Sequence, residues 1–305
     1  ILAIAPGFVV HSKFATVDVF ATFLVISCLA VADKLLHQSV RAEKIAAAAG
    51  LLAGLAGGTK YNFLLVSVAV FVAIGMSQRA NRLFLGLLAL ATTVVGFLVA
   101  TPGLILNPAR FRQDFLYELK HTAEGHGLVF AGRPPGFLTH ISNLSEGVGA
   151  VLCLLGVLGM GYGLWASRRN PTLRWLWPIA VFGVLYYLAI GRAQVAFLRY
   201  TFPLIPVLAV GAAVLFDLRE KLSAAGQRFL VTLYLLGLGG FGGGGLATAV
   251  EQTAWMAGED PRDQAGTWLK QQGQGKTVGL ASDPWFYSPT LYPEMQVHRG
   301  VFAAQ

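Results

Sequence analysis

A chain of 305 residues that is 55% apolar and only 12% charged carries about half the charge of a soluble domain. That balance excludes an ordinary soluble globule and makes a polytopic membrane protein the expectation. The net charge of +8 does not argue for nucleic acid, because the basic residues fall in short loops between apolar runs and form no stripe with interleaved aromatics. Cys28 and Cys153 both lie inside apolar runs, where they read as buried thiols and neither a disulfide framework nor a metal pair.

Apolar runs bounded by charge place spans near 1–10, 19–36, 45–58, 62–77, 83–105, 147–166, 175–191, 201–217 and 229–249. The first run has about ten residues where a span needs roughly 20. The chain is therefore expected to be a piece of a longer protein that begins upstream of Ile1. No basic segment and cleavage site mark a signal peptide at its start. Alternating the sides gathers Lys34, Arg41, Lys44, Arg79, Arg82, Arg168, Arg169, Arg174, Arg219, Lys221 and Arg228 into four short loops on one face. The positive-inside rule makes that face cytoplasmic. The other face, external, then carries 11–18, 59–61, 106–146, 192–200 and everything beyond about 250. The expected organisation is a helical bundle over 1–249 with an external loop at 106–146, then the start of an external soluble domain over 250–305.

In chain order, the first chemistry-bearing stretch is P-G-F-V-V-H-S-K-F-A-T-V-D, with His11, Ser12, Lys13 and Asp18 between two apolar runs. A carboxylate at the mouth of a membrane helix is costly and marks a candidate site. It would equally serve as the N-cap of the helix it precedes. Next, G-G-T-K-Y-N turns tightly between two short spans and leaves Lys60 on the external side, against the orientation rule. Snorkelling of its stem is the plainer account. Arg192 and Arg199, in G-R-A-Q-V-A-F-L-R-Y, raise the same question, and three misplaced cations suggest an anionic ligand.

Between Asn107 and Gly147 there is no long apolar run, and that length is excessive for a passive connection. Phe111, Phe115, Leu116 and Leu119 recur at helical spacing among charges, the pattern of an amphipathic helix on a membrane surface over Pro108–His121. His121, Glu124 and His126 follow within six residues. They could ligate a divalent metal, the one cofactor this pattern would call for, or hold a phosphate, although H-x-x-E-x-H matches no strict zinc motif and a solvated polar loop is the plainer reading. Gly125 to Pro135 reads as an irregular loop, a plausible lid. The run L-G-L-G-G-F-G-G-G-G, Leu236 to Gly245, reads as a closely packed helix face or a local break. Beyond it, Asp260 and Pro261 announce a helix to about Gln272, and Thr277 to Ala281 reads as a strand. No internal repeat, P-loop or dinucleotide fingerprint occurs.

One carboxylate, several external cations and an apolar bundle suit an anionic head group with a long apolar tail. A carboxylate beside a phosphate makes sense if it deprotonates an acceptor hydroxyl or holds a metal. A membrane transporter or lipid flippase is the other class that would bury charge among spans, with that charge expected near the midplane. A structural scaffold would instead leave Asp18, Lys60 and Arg199 dispersed and paired locally.

The stretches S-K-F-A-T-V-D-V-F-A-T-F, G-L-A-G-G-T-K-Y and R-Y-T-F-P-L-I-P-V-L-A, in that order, resemble the GT-C class of membrane glycosyltransferases. The group they look most like is glycosyltransferase family 39, the protein O-mannosyltransferase and aminoarabinose transferase superfamily. The resemblance runs from about residue 1 to 217, and D-P-R-D-Q-A-G-T-W-L extends it into the tail. It implies an all-α, GT-C-like bundle with a small external α/β tail cut short at Gln305. It further implies a polyprenyl-phosphate-linked sugar as donor, transfer with inversion to a hydroxyl of a lipid, glycan or protein acceptor, and residence in a plasma membrane such as the bacterial inner membrane with the active site outside. Asp18 matches the family's second external acidic position, Lys60 a phosphate-contacting position and Arg199 another external basic site, which makes both cations candidate donor contacts. Arg192 and His11 join them as candidate donor contacts on the reading of this sequence. The family's principal catalytic acid would lie upstream of Ile1, so this chain by itself is expected to be inactive.

Overall fold

The computed structural model describes residues 1–14, 16–37, 40–124, 134–272, 277–280, 289 and 296–299, with the side chains of 121–124 and 277–280 and 296–299 outside that description. The chain divides into two compact units, Ile1–Ala249 and Val250–Gln305.

Every regular element among the described residues of the first unit is a helix. Its elements in order are α1 (Pro6–His11), α2 (Val17–His37), α3 (Ala42–Thr59), α4 (Val66–Met76), α5 (Arg82–Ala100), α6 (Gly103–Leu106), α7 (Pro108–Glu124), α8 (Phe137–Val148), α9 (Ala150–Ala166), α10 (Leu176–Gly191), α11 (Leu204–Asp217), α12 (Ala224–Gly239) and α13 (Gly245–Met256), the last crossing into the second unit. Two helices, α2 and α5, are long and apolar enough to cross a membrane. A third span results if α8 and α9, bent by 109° at their junction, are counted as one.

Composition explains the packing. α3 is largely Ala, Gly and Leu, and Ala has the best helix propensity of any residue. Its buried face consists of small residues, among them Ala46, Ala49, Gly50, Ala53 and Gly54, so α2 and α5 come close to its backbone. The Cys28 thiol donates to the Ala49 carbonyl at 3.3 Å, and a Cβ placed on Gly54 would overlap the Thr93 carbonyl oxygen of α5. Small residues at a seam let helix backbones approach where side chains would hold them apart. α9 and α11 repeat the device, Gly159 lying against the backbone of Gly211. The main core joins α2, α3 and α4 to α10 and α11 through Val25, Phe63, Val70, Phe182 and Tyr186. A second cluster places Val148, Leu152, Phe202, Ile205 and Tyr234 together.

Three segments differ from the expectation drawn from the sequence. Asp18 does not precede its helix as an N-cap; it is the second residue of α2, inside the first turn. The 106–146 region holds the expected helix over Pro108–His121 as α7 and, among its described residues, a second, unexpected helix, α8. The run 229–249 is not one span, because α12 stops at Gly239 and the backbone passes through Gly240 and Gly242 to Gly245 with φ between +66° and +118°. With no Cβ on four successive residues, nothing penalises the left-handed region. Space reinforces the break, since a Cβ on Gly244 would overlap the backbone of Gly149, the residue at which α8 turns into α9.

In the second unit, α14 (Pro261–Gln272) starts behind Asp260, whose carboxylate accepts from the Arg262 backbone N–H at 2.8 Å. Strands β1 (Thr277–Leu280) and β2 (Gln296–Arg299) pair in parallel, with Thr277 opposite Gln296.

Candidate functional site

The connection from α3 to α4 places the first cation. α3 ends where Lys60 turns extended, at φ −153° and ψ 119°, and a 3-10 turn over Tyr61–Leu65 leads into α4. The break points the Lys60 side chain at the start of α2. There its ammonium donates to Asp18 Oδ1. Asp18 is only 3% exposed, and its other oxygen faces Arg199 Nε at 3.7 Å. Arg199 sits in a 3-10 turn, Leu198–Thr201, ahead of α11. Three segments far apart in sequence therefore bring one carboxylate and two cations together at the ends of their helices.

Aromatic rings wall the cluster. Lys60 Nζ stands 4.1 Å from the Tyr200 ring centre and 5.5 Å from that of Phe63, and the Arg199 guanidinium lies 4.2 Å from the Phe197 ring centre. Such cation–ring contacts strengthen as water is excluded. Burial holds the Lys60 ammonium below the usual lysine range, and the Asp18 carboxylate works against that shift without cancelling it.

A second layer of hydrogen bonds fixes the turn that carries Arg199. The fully buried Tyr186 of α10 donates its hydroxyl to the Tyr200 carbonyl at 3.0 Å and receives the Asn62 side-chain amide at 3.3 Å. The same tyrosine thus ties the Lys60 connection to the Arg199 turn. From the other side α8 clamps the segment leading to Arg199: Asn143 donates to the Ala196 carbonyl at 3.1 Å, and the Gly136 N–H donates to that of Ala193 at 3.0 Å.

His11, at the end of α1, stacks edge-on against Phe14 and Phe202 with ring centres 5.6 and 5.0 Å apart. Burial lowers its pKa below the ordinary histidine value, Arg199 lowers it further, and Asp18 pulls the other way. It therefore belongs to the same electrostatic neighbourhood. Its Nδ1, Thr16 Oγ1 and Asn62 Oδ1 are buried with no hydrogen-bond partner among the described residues, an uncommon condition for buried polar atoms.

Of the residues singled out from the sequence, Asp18, Lys60, Arg199 and His11 come together. Arg192 is exposed at the end of α10, and no ion pair joins it to Asp18 among the described residues. The proposed metal trio of His121, Glu124 and His126 lies outside the described residues, since the side chains of the first two and the whole of the third are not described. Among the described residues no group of three His, Cys, Asp or Glu could hold a metal ion. Sequence reasoning missed Tyr186, Asn62, Phe63 and Tyr200. The last three adjoin Lys60 or Arg199, whereas Tyr186 gives no local sign of its part.

The amphipathic α7 docks its aromatic face nearby, with Phe111 and Phe115 edge-on to Tyr61 at 6.3 and 5.1 Å. The site is thus an acid held between two cations, walled by aromatic rings and flanked by helices α7 and α8. Two cations against one carboxylate leave an excess of positive charge beside the N-terminus of α2, itself a partial positive charge. That arrangement can receive an anion. Neither the models of known protein families, nor curated proteins, nor solved structures include one that matches this chain.

Proposed function

We propose that the chain belongs to a polytopic membrane glycosyltransferase with a GT-C-like bundle, which moves a sugar from a polyprenyl-phosphate donor to an acceptor hydroxyl on the external side of the membrane. The observation that carries this reading is the buried Asp18–Lys60–Arg199 cluster, with its surplus cation, at one end of the bundle. Lys60 and Arg199 bind the donor phosphate, and the polyprenyl tail lies along apolar helix faces. As the phosphate draws the two cations toward itself, Asp18 is released from them and is free to accept a proton. The acceptor oxygen attacks the anomeric carbon from the face opposite the phosphate and its proton passes to a carboxylate. The bond from that carbon to the phosphate oxygen breaks, and its electron pair leaves with the polyprenyl phosphate. The buried atoms of His11, Thr16 and Asn62 that have no hydrogen-bond partner among the described residues are suited to bonding sugar or acceptor hydroxyls.

A transporter or flippase is the second reading, and the breaks at Gly149 and Gly240–Gly245 favour it, since transporters use discontinuous helices. Position weighs against it. Gly149 follows α8, which packs on α1 and on the turn carrying Arg199, so the break adjoins the charged cluster at the bundle end. Transporter charge belongs near the bilayer midplane, yet α5 has no charged residue beyond Arg82, and those of α2 lie in its end turns.

The test uses the full-length protein in membranes with a labelled polyprenyl-phosphate sugar. Asp18→Asn abolishes transfer, and Asp18→Asn combined with Lys60→Gln stays inactive although the charge imbalance is relieved. Unchanged turnover in Asp18→Asn removes Asp18 from the site. Movement of the labelled lipid across the bilayer without sugar transfer establishes the second reading instead.

A further inference from the structure

The opposite end of α2 holds a cavity of about 610 Å³ whose lining includes Leu36, His37, Met76, Arg79, Arg174 and Trp175. Asp18 and His37 are 19 residues apart on one helix, which separates the cavity from the charged cluster by about 28 Å at 1.5 Å per residue. It has no part in binding the donor.

Its chemistry is two-sided. Leu35 is fully buried, and Leu36, Met76 and Trp175 are partly so, which gives an apolar floor. Arg79, Arg174 and Gln78 line it with cationic and amide groups, Thr172 gives its hydroxyl to Asn170, and no carboxylate lines it among the described residues. Asp33 is not among the lining residues and lies 3.2 Å from His37 Nε2. Arg174 is exposed and ends the 3-10 turn Pro171–Leu173 just ahead of α10. Two arginines over an apolar floor match an anion that carries hydrocarbon, and Arg suits phosphate because its planar fork presents several donors at once. Basic pockets between helix ends are a known setting for anionic lipid head groups.

We propose that this cavity binds the phosphate head group of an anionic phospholipid, with Arg79 and Arg174 on the phosphate and the glycerol and first acyl carbons on Leu36, Met76 and Trp175. The proposal rests on the reading of the bundle as membrane-spanning, which puts this end at the bilayer surface.

The test is native mass spectrometry of the full chain in detergent micelles with phosphatidylglycerol or phosphatidylcholine added. One phosphatidylglycerol is retained in preference to phosphatidylcholine, and Arg174→Gln weakens that retention about tenfold. Arg174 is exposed, so its replacement leaves the fold intact. Arg228→Gln, a basic residue outside the cavity, leaves retention unchanged. Equal retention of the two lipids overturns the proposal, as does equal loss in both variants. Displacement of the lipid by millimolar inorganic phosphate also overturns it, making the cavity a site for a soluble anion. Flotation of the wild-type chain with pure phosphatidylcholine vesicles reports membrane insertion separately, so failure of the spanning reading is distinguished from failure of the pocket.

Discussion

Asp18→Asn removes the one carboxylate that Lys60 and Arg199 share and leaves two cations facing each other in a buried place. Removing one partner of a buried pair costs about 3–5 kcal/mol. Here the side chains of Lys60 and Arg199 retain 20% and 32% exposure, so water relieves part of the repulsion and the cost falls at the lower end, about 3 kcal/mol. Lys60→Gln leaves Asp18 with Arg199 as its counter-charge and costs about 1.5 kcal/mol. Removing both leaves only Arg199, which rests on the Phe197 ring, so the double variant costs about 2 kcal/mol, where simple addition gives about 4.5. The assay is unfolding in detergent micelles followed by tryptophan fluorescence, for wild type, both single variants and the double variant. A double variant that costs the sum of the singles refutes the reasoning, because it means that the two groups do not feel each other's charge.

Other outcomes follow from the same geometry. Gly54→Ala pushes α3 and α5 apart and destabilises by about 1–3 kcal/mol, because a Cβ there overlaps the Thr93 carbonyl oxygen. Gly86→Ala, with nothing within 4 Å of its Cβ, is neutral or stabilises by up to about 1 kcal/mol. Equal melting temperatures for these two variants refute the seam. His11 has a folded-state pKa below its unfolded value, so the unfolded chain takes up the proton first as pH falls. Stability therefore declines as pH drops from about 6.5 toward the folded-state pKa and levels off below it. His11→Gln removes that part of the slope, and identical stability profiles for wild type and variant refute it.

The bundle and its chemistry differ in how much local sequence reveals. α7 is legible because Phe111, Phe115 and Leu119 recur at helical spacing, and α14 because Asp260 and Pro261 mark its start. α8 carries a similar signal in Phe137, Ile141, Leu144 and Val148, obscured by its polar positions and by the glycines and prolines before it. The break at Gly240–Gly245 is ambiguous from composition, since glycine serves close packing and left-handed turns alike. The contact with Gly149, more than 90 residues away, decides between them. Lys60, Asp18 and Arg199 stand out because each is a charge beside an apolar run, and they differ from Arg192 only in tertiary placement. Tyr186 is the opposite case. Among the apolar residues of α10 it looks like filler, and its role arises from a turn 14 residues later.

The glycine seam between α3 and α5 also acts as a ruler for the charged end of the molecule. Lys60 follows the last residue of α3 directly, so its ammonium travels with that helix. Gly54 lies six residues upstream, about 9 Å along the axis, and a slip of one helical turn at the seam would carry Lys60 about 5.4 Å away from Asp18. The reach of a lysine is thus metered by two backbones in contact, and a methyl group added at that distance would detune the site without touching any of its members.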